Sequence, residues 1–87
     1  PCLGLAYRAL ASGGTATTVL NAANEVAVAS FLEGQITFPA ISRVIKATLD
    51  ALPAQPADSL EGILAADALA RDYAGEWVAA GDRGMTN

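Results

Sequence analysis

Apolar residues recur along the chain at intervals of three and four, the period of helices that bury one side. Leu3, Ala6, Tyr7 and Leu10 follow the i, i+3, i+4, i+7 spacing and predict a first helix over about residues 2–12, with those four as its apolar face. Pro1 suits a helix start, where a missing N–H is no loss. Ser12-Gly13-Gly14 stops the helix, because glycine accepts the left-handed conformation that follows a helix end. A second helix is predicted over about residues 16–33. Leu20, Ala23, Ala27 and Phe31 form one stripe, and Val19, Val26, Val28 and Leu32 widen it. A helix apolar over so much of its circumference belongs at the centre of the fold. The Thr15 side chain is expected to cap it, and Gly34 to end it.

Residues 35–38 predict a short extended connector, with Ile36 and Phe38 tucked inward. A lone strand of this length has no partner, so no sheet is expected. Ile41, Val44, Ile45, Thr48, Leu49 and Leu52 predict a third helix over about residues 39–52, with Pro39 in its first turn and Arg43, Lys46 and Asp50 outside. Pro53 and Pro56 then break the chain over residues 53–57.

The last segment, about residues 58–80, opens on Asp58-Ser59-Leu60-Glu61, which reads as a capping box with Asp58 as N-cap. Leu60, Ile63 and Leu64 set one stripe. Ala66, Leu69, Ala70, Tyr73, Trp77 and Ala80 set another, out of phase with the first, so a break is expected near Ala66-Asp67, with Asp67 capping the second piece. Residues 81–87 lack apolar periodicity and are expected to form a frayed tail. The predicted architecture is all-α: a small antiparallel helical bundle of three helices plus a broken fourth, occupying residues 1–80.

Composition supports this and narrows the chemistry. The 87 residues are 53% hydrophobic and 16% charged, with alanine, the best helix former, the commonest residue. Such a chain is too apolar to be disordered and long enough for one small domain. Five basic residues against nine acidic ones leave no basic footprint for nucleic acid. No run of about 18 apolar residues offers a membrane span. Histidine is absent and Cys2 is the sole cysteine. No zinc site or internal disulfide can be assembled, and a reducing cytoplasm is the expected setting. The opening Pro1-Cys2-Leu3 carries neither a start Met nor a basic leader, and reads as part of a longer polypeptide without a signal peptide.

Four features invite a chemical reading. Asn21, Asn24 and Glu25 share one helix face. They can be a ligand or metal contact, or a buried hydrogen-bond cluster tying the helix to a loop or a neighbouring domain; the second is favoured, since nothing nearby completes a catalytic set. Ser12-Gly13-Gly14-Thr15 precedes a helix N-terminus, where an anion can bind, but it lacks the GxxxxGK[ST] pattern, and a C-cap joined to an N-cap accounts for it. Asp67 and Arg71 read as an ordinary i, i+4 pair. Tyr73 and Trp77 read as core anchors. No catalytic, cofactor-binding or metal residue is assigned.

The run from Gly13 to Ile41, with Leu20-Asn21-Ala22-Ala23-Asn24-Glu25-Val26-Ala27-Val28 at its heart and Phe31-Leu32, Ile36, Phe38 and Ile41 beyond, resembles the C-terminal domain of 1-deoxy-D-xylulose 5-phosphate reductoisomerases. Pro1 to Tyr7 resembles the junction between that family's catalytic domain and its C-terminal helices. Ala66-Asp67 with Ala70-Arg71 resembles its last helix. Pro39 departs from the pattern, in which a polar capping residue is common. The resemblance implies a parent enzyme that uses NADPH and Mg or Mn to convert 1-deoxy-D-xylulose 5-phosphate to 2-C-methyl-D-erythritol 4-phosphate, in non-mevalonate isoprenoid biosynthesis, and that is a homodimer. It implies a non-catalytic scaffold role for this segment, with Asn21, Asn24 and Glu25 holding the catalytic domain as its partner. The alternative is an independent helical protein-interaction module reusing the fold.

Overall fold

The computed structural model describes residues 2–85, with side chains through residue 80. Four helices follow one another: α1 (Cys2–Ser12), α2 (Ala16–Leu32), α3 (Phe38–Ala51) and α4 (Leu60–Met85). The chain is all-α, as its periodicity predicts. α2 is central and packs against each of the other three helices. Its buried positions are Ala16, Val19, Ala22, Ala23, Ala27 and Ser30. Val28 and Leu32, expected to widen the inward stripe, instead face out.

The core joins Val19 and the α2 alanines to Ile36, Ile41, Val44, Ile45 and Leu49, and to Ala70 and Ala74 of α4. Each fully buried Val or Ile contributes about 1.5–3 kcal/mol. The alanines act differently: with little side chain between them, the backbones of α2 and α4 pack closely. Buried Thr48 satisfies its hydroxyl by donating to the Val44 carbonyl, 2.8 Å away.

The α1–α2 reversal needs Gly13 and Gly14, both at positive φ (69° and 54°). Gly14 is doubly constrained, because a Cβ there would run into the carbonyl of Gln55. That carbonyl accepts the Thr15 N–H at 2.9 Å, while the Gln55 N–H donates to Thr15 Oγ1 at 3.0 Å. Thr15 stands at the N-cap of α2, yet its side chain makes no capping bond. It pins the 53–57 linker instead. The expected side-chain cap fails because the hydroxyl has a better partner across the fold.

Four other expectations change. α4 is one helix, not a broken pair. Ile63, Ala66, Ala70, Ala74 and Trp77 form a single continuous inward face. The apparent phase slip came from counting Leu60 and Leu64, which are exposed, as core. The 26 residues of α4 span about 39 Å at 1.5 Å per residue, the full 39 Å long axis of the molecule. Helical backbone therefore reaches Met85, through most of the segment expected to fray; residues 86 and 87 lie outside the described residues. At the start of α4 the cap is Ser59, not Asp58: Ser59 Oγ accepts the Gly62 N–H at 3.0 Å. In the α2–α3 connector Ile36 is buried, as expected, but Phe38 is exposed, opens α3, and packs edge-to-face on Phe31 at 5.6 Å.

α1 departs most from expectation. Its buried residue is Ala9, with Leu5 packed against the core. Leu3, Tyr7 and Leu10, the large members of the expected apolar face, are 69%, 65% and 66% exposed.

Candidate functional site

The polar trio on α2 was expected in one place, and it lies there. Asn21, Asn24 and Glu25 share the outer face of the central helix, continued along the helix by Val28 and Leu32. They are not buried. All three are exposed, so the expected buried hydrogen-bond cluster does not form within this chain. The physical reason is the phase of α2: its alanines and Val19 take the inward positions, and the amides fall opposite them.

Glu25 has a partner. Its Oε1 lies 2.7 Å from Arg71 Nη2 of α4, and Arg71 Nε donates to Asp67 Oδ2 at 2.8 Å. The i, i+4 pair read from the sequence is therefore real and extends across to α2. Asp67 first, then Glu25, raise the Arg71 pKa further above its ordinary value. Asn21 and Asn24 have no side-chain partner among the described residues.

Beside Asn24 lies an apolar groove of about 270 Å³, walled by Cys2 at the start of α1, Val28 of α2, and Phe38 and Ile41 of α3. Cys2 is exposed and is the first residue of α1. A second groove of about 340 Å³ lies between the 53–57 linker and α4, lined by Val19, Leu52, Pro56 and Leu69 among others. The Gly13–Thr15 loop offers little to an anion, since the Thr15 and Ala16 N–H groups are taken by the carbonyls of Gln55 and Gly13. The loop thus joins two helix ends through backbone bonds, without the Thr15 side-chain cap that was expected. Trp77 packs against the core and Tyr73 is half-buried. Among the described residues, no three His, Cys, Asp or Glu side chains gather where a metal could sit, and no helix is long and apolar enough to cross a membrane.

Sequence reasoning missed the exposed stripe of Leu3, Tyr7 and Leu10. A signal was present: Leu5, Ala6 and Ala9 offer a competing face with smaller residues, and that face is the one turned inward.

Fold and surface define a small four-helix bundle domain whose distinctive side chains face outward rather than converge on a reaction centre. The chain belongs to the DXP reductoisomerase C-terminal domain family, whose model matches residues 1–73. It is 56% identical over 80 residues to the 1-deoxy-D-xylulose 5-phosphate reductoisomerase of Cupriavidus necator, covering 92% of this chain and 20% of that protein. It is 57% identical over 79 residues to the enzyme of the same name from Burkholderia multivorans, covering 91% and 20%. Among solved structures, it is similar to 1-deoxy-D-xylulose 5-phosphate reductoisomerase from Zymomonas mobilis in complex with NADPH, with a TM-score of 0.85 and 40% identity over 90% of this chain and 21% of that one. The chain thus spans about a fifth of the length of the relatives it matches.

Proposed function

We propose that residues 1–80 are the C-terminal scaffold domain of a 1-deoxy-D-xylulose 5-phosphate reductoisomerase, an NADPH-dependent enzyme of non-mevalonate isoprenoid biosynthesis. The observation that carries this reading is the match of residues 1–73 to the family's C-terminal domain, together with relatives five times as long. The parent is a cytoplasmic homodimer that takes NADPH and Mg or Mn. The described residues of this chain do not fit either group: no three possible metal-ligating side chains gather, Glu25, Asp50 and Asp67 pair with arginine or lysine, and the Gly13, Thr15 and Ala16 N–H groups of the glycine turn are engaged. Those groups, and the conversion of 1-deoxy-D-xylulose 5-phosphate to 2-C-methyl-D-erythritol 4-phosphate, belong to the rest of the enzyme. The scaffold's contribution is mechanical. Asn21, Asn24 and Glu25, with exposed parts of α1 and α2, hold the catalytic domain in place.

The test is NADPH oxidation in the presence of 1-deoxy-D-xylulose 5-phosphate and Mg. Turnover is expected from the full-length gene product and none from the 87-residue chain; turnover by the chain alone overturns the scaffold reading. Asn21→Ala combined with Asn24→Ala is expected to lower the melting temperature of the full-length enzyme and leave that of the chain unchanged, because both amides lack a partner within it.

A further inference from the structure

The geometry points to a specific seat for the rest of the enzyme: we propose that Leu3, Tyr7 and Leu10 of α1 dock on an apolar surface of the part of the same polypeptide that precedes this domain. This rests on the scaffold reading above. Four observations carry it.

First, the three residues fall at i, i+4 and i+7, so they form one stripe along the helix. Each is about two-thirds exposed, although they are three of the four large apolar side chains of α1, Leu5 being the one turned to the core. Contiguous exposed apolar surface of this kind marks an interaction site.

Second, α1 is lightly held by its own bundle. It buries Ala9, packs Leu5, and joins α3 through one ion pair, Arg8 Nη2 to Asp50 Oδ1 at 2.7 Å. At 100° per residue, Arg8 stands on a different flank of α1 from the stripe. The stripe therefore does not share the flank that Arg8 turns to Asp50 of α3.

Third, a polar group stands beside apolar surface at the head of α1. Cys2 joins Asn24, Val28 and Phe38 in one apolar groove, so the unpartnered Asn24 amide borders it. An apolar centre with a polar rim is the usual anatomy of a protein interface.

Fourth, the length of the missing partner identifies it. The relatives are five times as long as this chain, and the matching family model is a C-terminal domain, so their additional polypeptide lies ahead of it and meets it at α1. The exposed leucines of α4, Leu60 and Leu64, lie beyond the linker, far along the chain from that junction.

The experiment is hydroxyl-radical footprinting of the full-length gene product, with leucine compared with leucine inside one molecule. Leu3 and Leu10 are 69% and 66% exposed here, and Leu60 and Leu64 are 71% and 59% exposed. Docking excludes water from the first pair, so oxidation of Leu3 and Leu10 is expected to be slower than that of Leu60 and Leu64 by about fivefold or more. Equal rates overturn the proposal. Protection that disappears on dilution would assign the stripe to a second copy and overturns it too. NADPH-dependent turnover measured on the same preparation separates the two levels: turnover with equal rates overturns the docking alone, whereas a gene with no reductoisomerase region ahead of Pro1 overturns the scaffold reading along with it.

Discussion

Thr15 illustrates how one side chain can serve a different purpose from the one its position suggests. A threonine before a helix is expected to cap it, but here Thr15 is buried, 2% exposed, and its hydroxyl accepts the Gln55 N–H from across the molecule. Thr15→Val keeps the shape and removes the acceptor. It leaves a partly buried N–H unpaired, so a loss of about 1–3 kcal/mol is expected by urea denaturation, with Thr15→Ser recovering most of it. Asp50 offers a test by pH. Its carboxyl is held below its ordinary 3.8, first by the hydrogen bond from Lys46 and then by that from Arg8. A pKa lower in the folded state than in the unfolded chain contributes stability above 3.8 and loses it as the pH falls through the folded value. The wild-type chain is therefore expected to melt slightly above Asp50→Asn at neutral pH, with the gap closing below pH 3.8. Both partners are half-exposed, which keeps the effect small and sensitive to salt. Thermal melts across pH and salt check both features.

At the scale of elements, three of the four helices were legible within a residue or two because period, glycines and prolines agreed. Gly13, Gly34 and Pro39 punctuate the chain where the structure turns. The fourth helix was misjudged because large residues were weighted over small ones. Its inward face runs through Ala66, Ala70 and Ala74, whose burial is complete or partial but whose hydropathy is weak, while Leu60, Leu64 and Leu69 stand outside. The same bias concealed the orientation of α1, where Ala9 is buried and Leu10 is not. For the candidate site, the shared face of Asn21, Asn24 and Glu25 was legible from spacing, but its exposure was not, because that depends on which neighbours occupy the remaining sides of α2. Continuity of α4 can be tested by proline. If Asp67 capped a separate helix, Ala68 would be its first residue, where proline is tolerated. In a single helix the same change removes an internal hydrogen bond, and Ala68→Pro is expected to cost about 3 kcal/mol, with a loss of helical circular dichroism.

At the scale of the whole molecule, the central question is what happens to a domain that leaves a stripe of large apolar side chains outside. Leu3, Tyr7 and Leu10 line one helix, with Val28, Leu32 and Phe38 exposed on α2 and α3. In the full-length enzyme an adjoining domain covers the α1 stripe, according to the proposal above. In the 87-residue chain nothing does, and apolar surface left in water drives association. Weak, concentration-dependent self-association is therefore expected in sedimentation velocity, appearing only at high protein concentration because α1 presents a narrow stripe rather than a broad interface. Leu3→Glu with Leu10→Glu should abolish it, since both charges would be buried in any such contact, while Leu60→Glu with Leu64→Glu should leave it intact. The net charge of −4 opposes association at low ionic strength, so adding salt is expected to strengthen it, the opposite of what an ion-paired contact would do. A strict monomer across the whole concentration range, at low and high salt, would mean that the stripe is not adhesive enough to seat a partner domain by its apolar surface, and the weight of the interface would shift to Asn21 and Asn24.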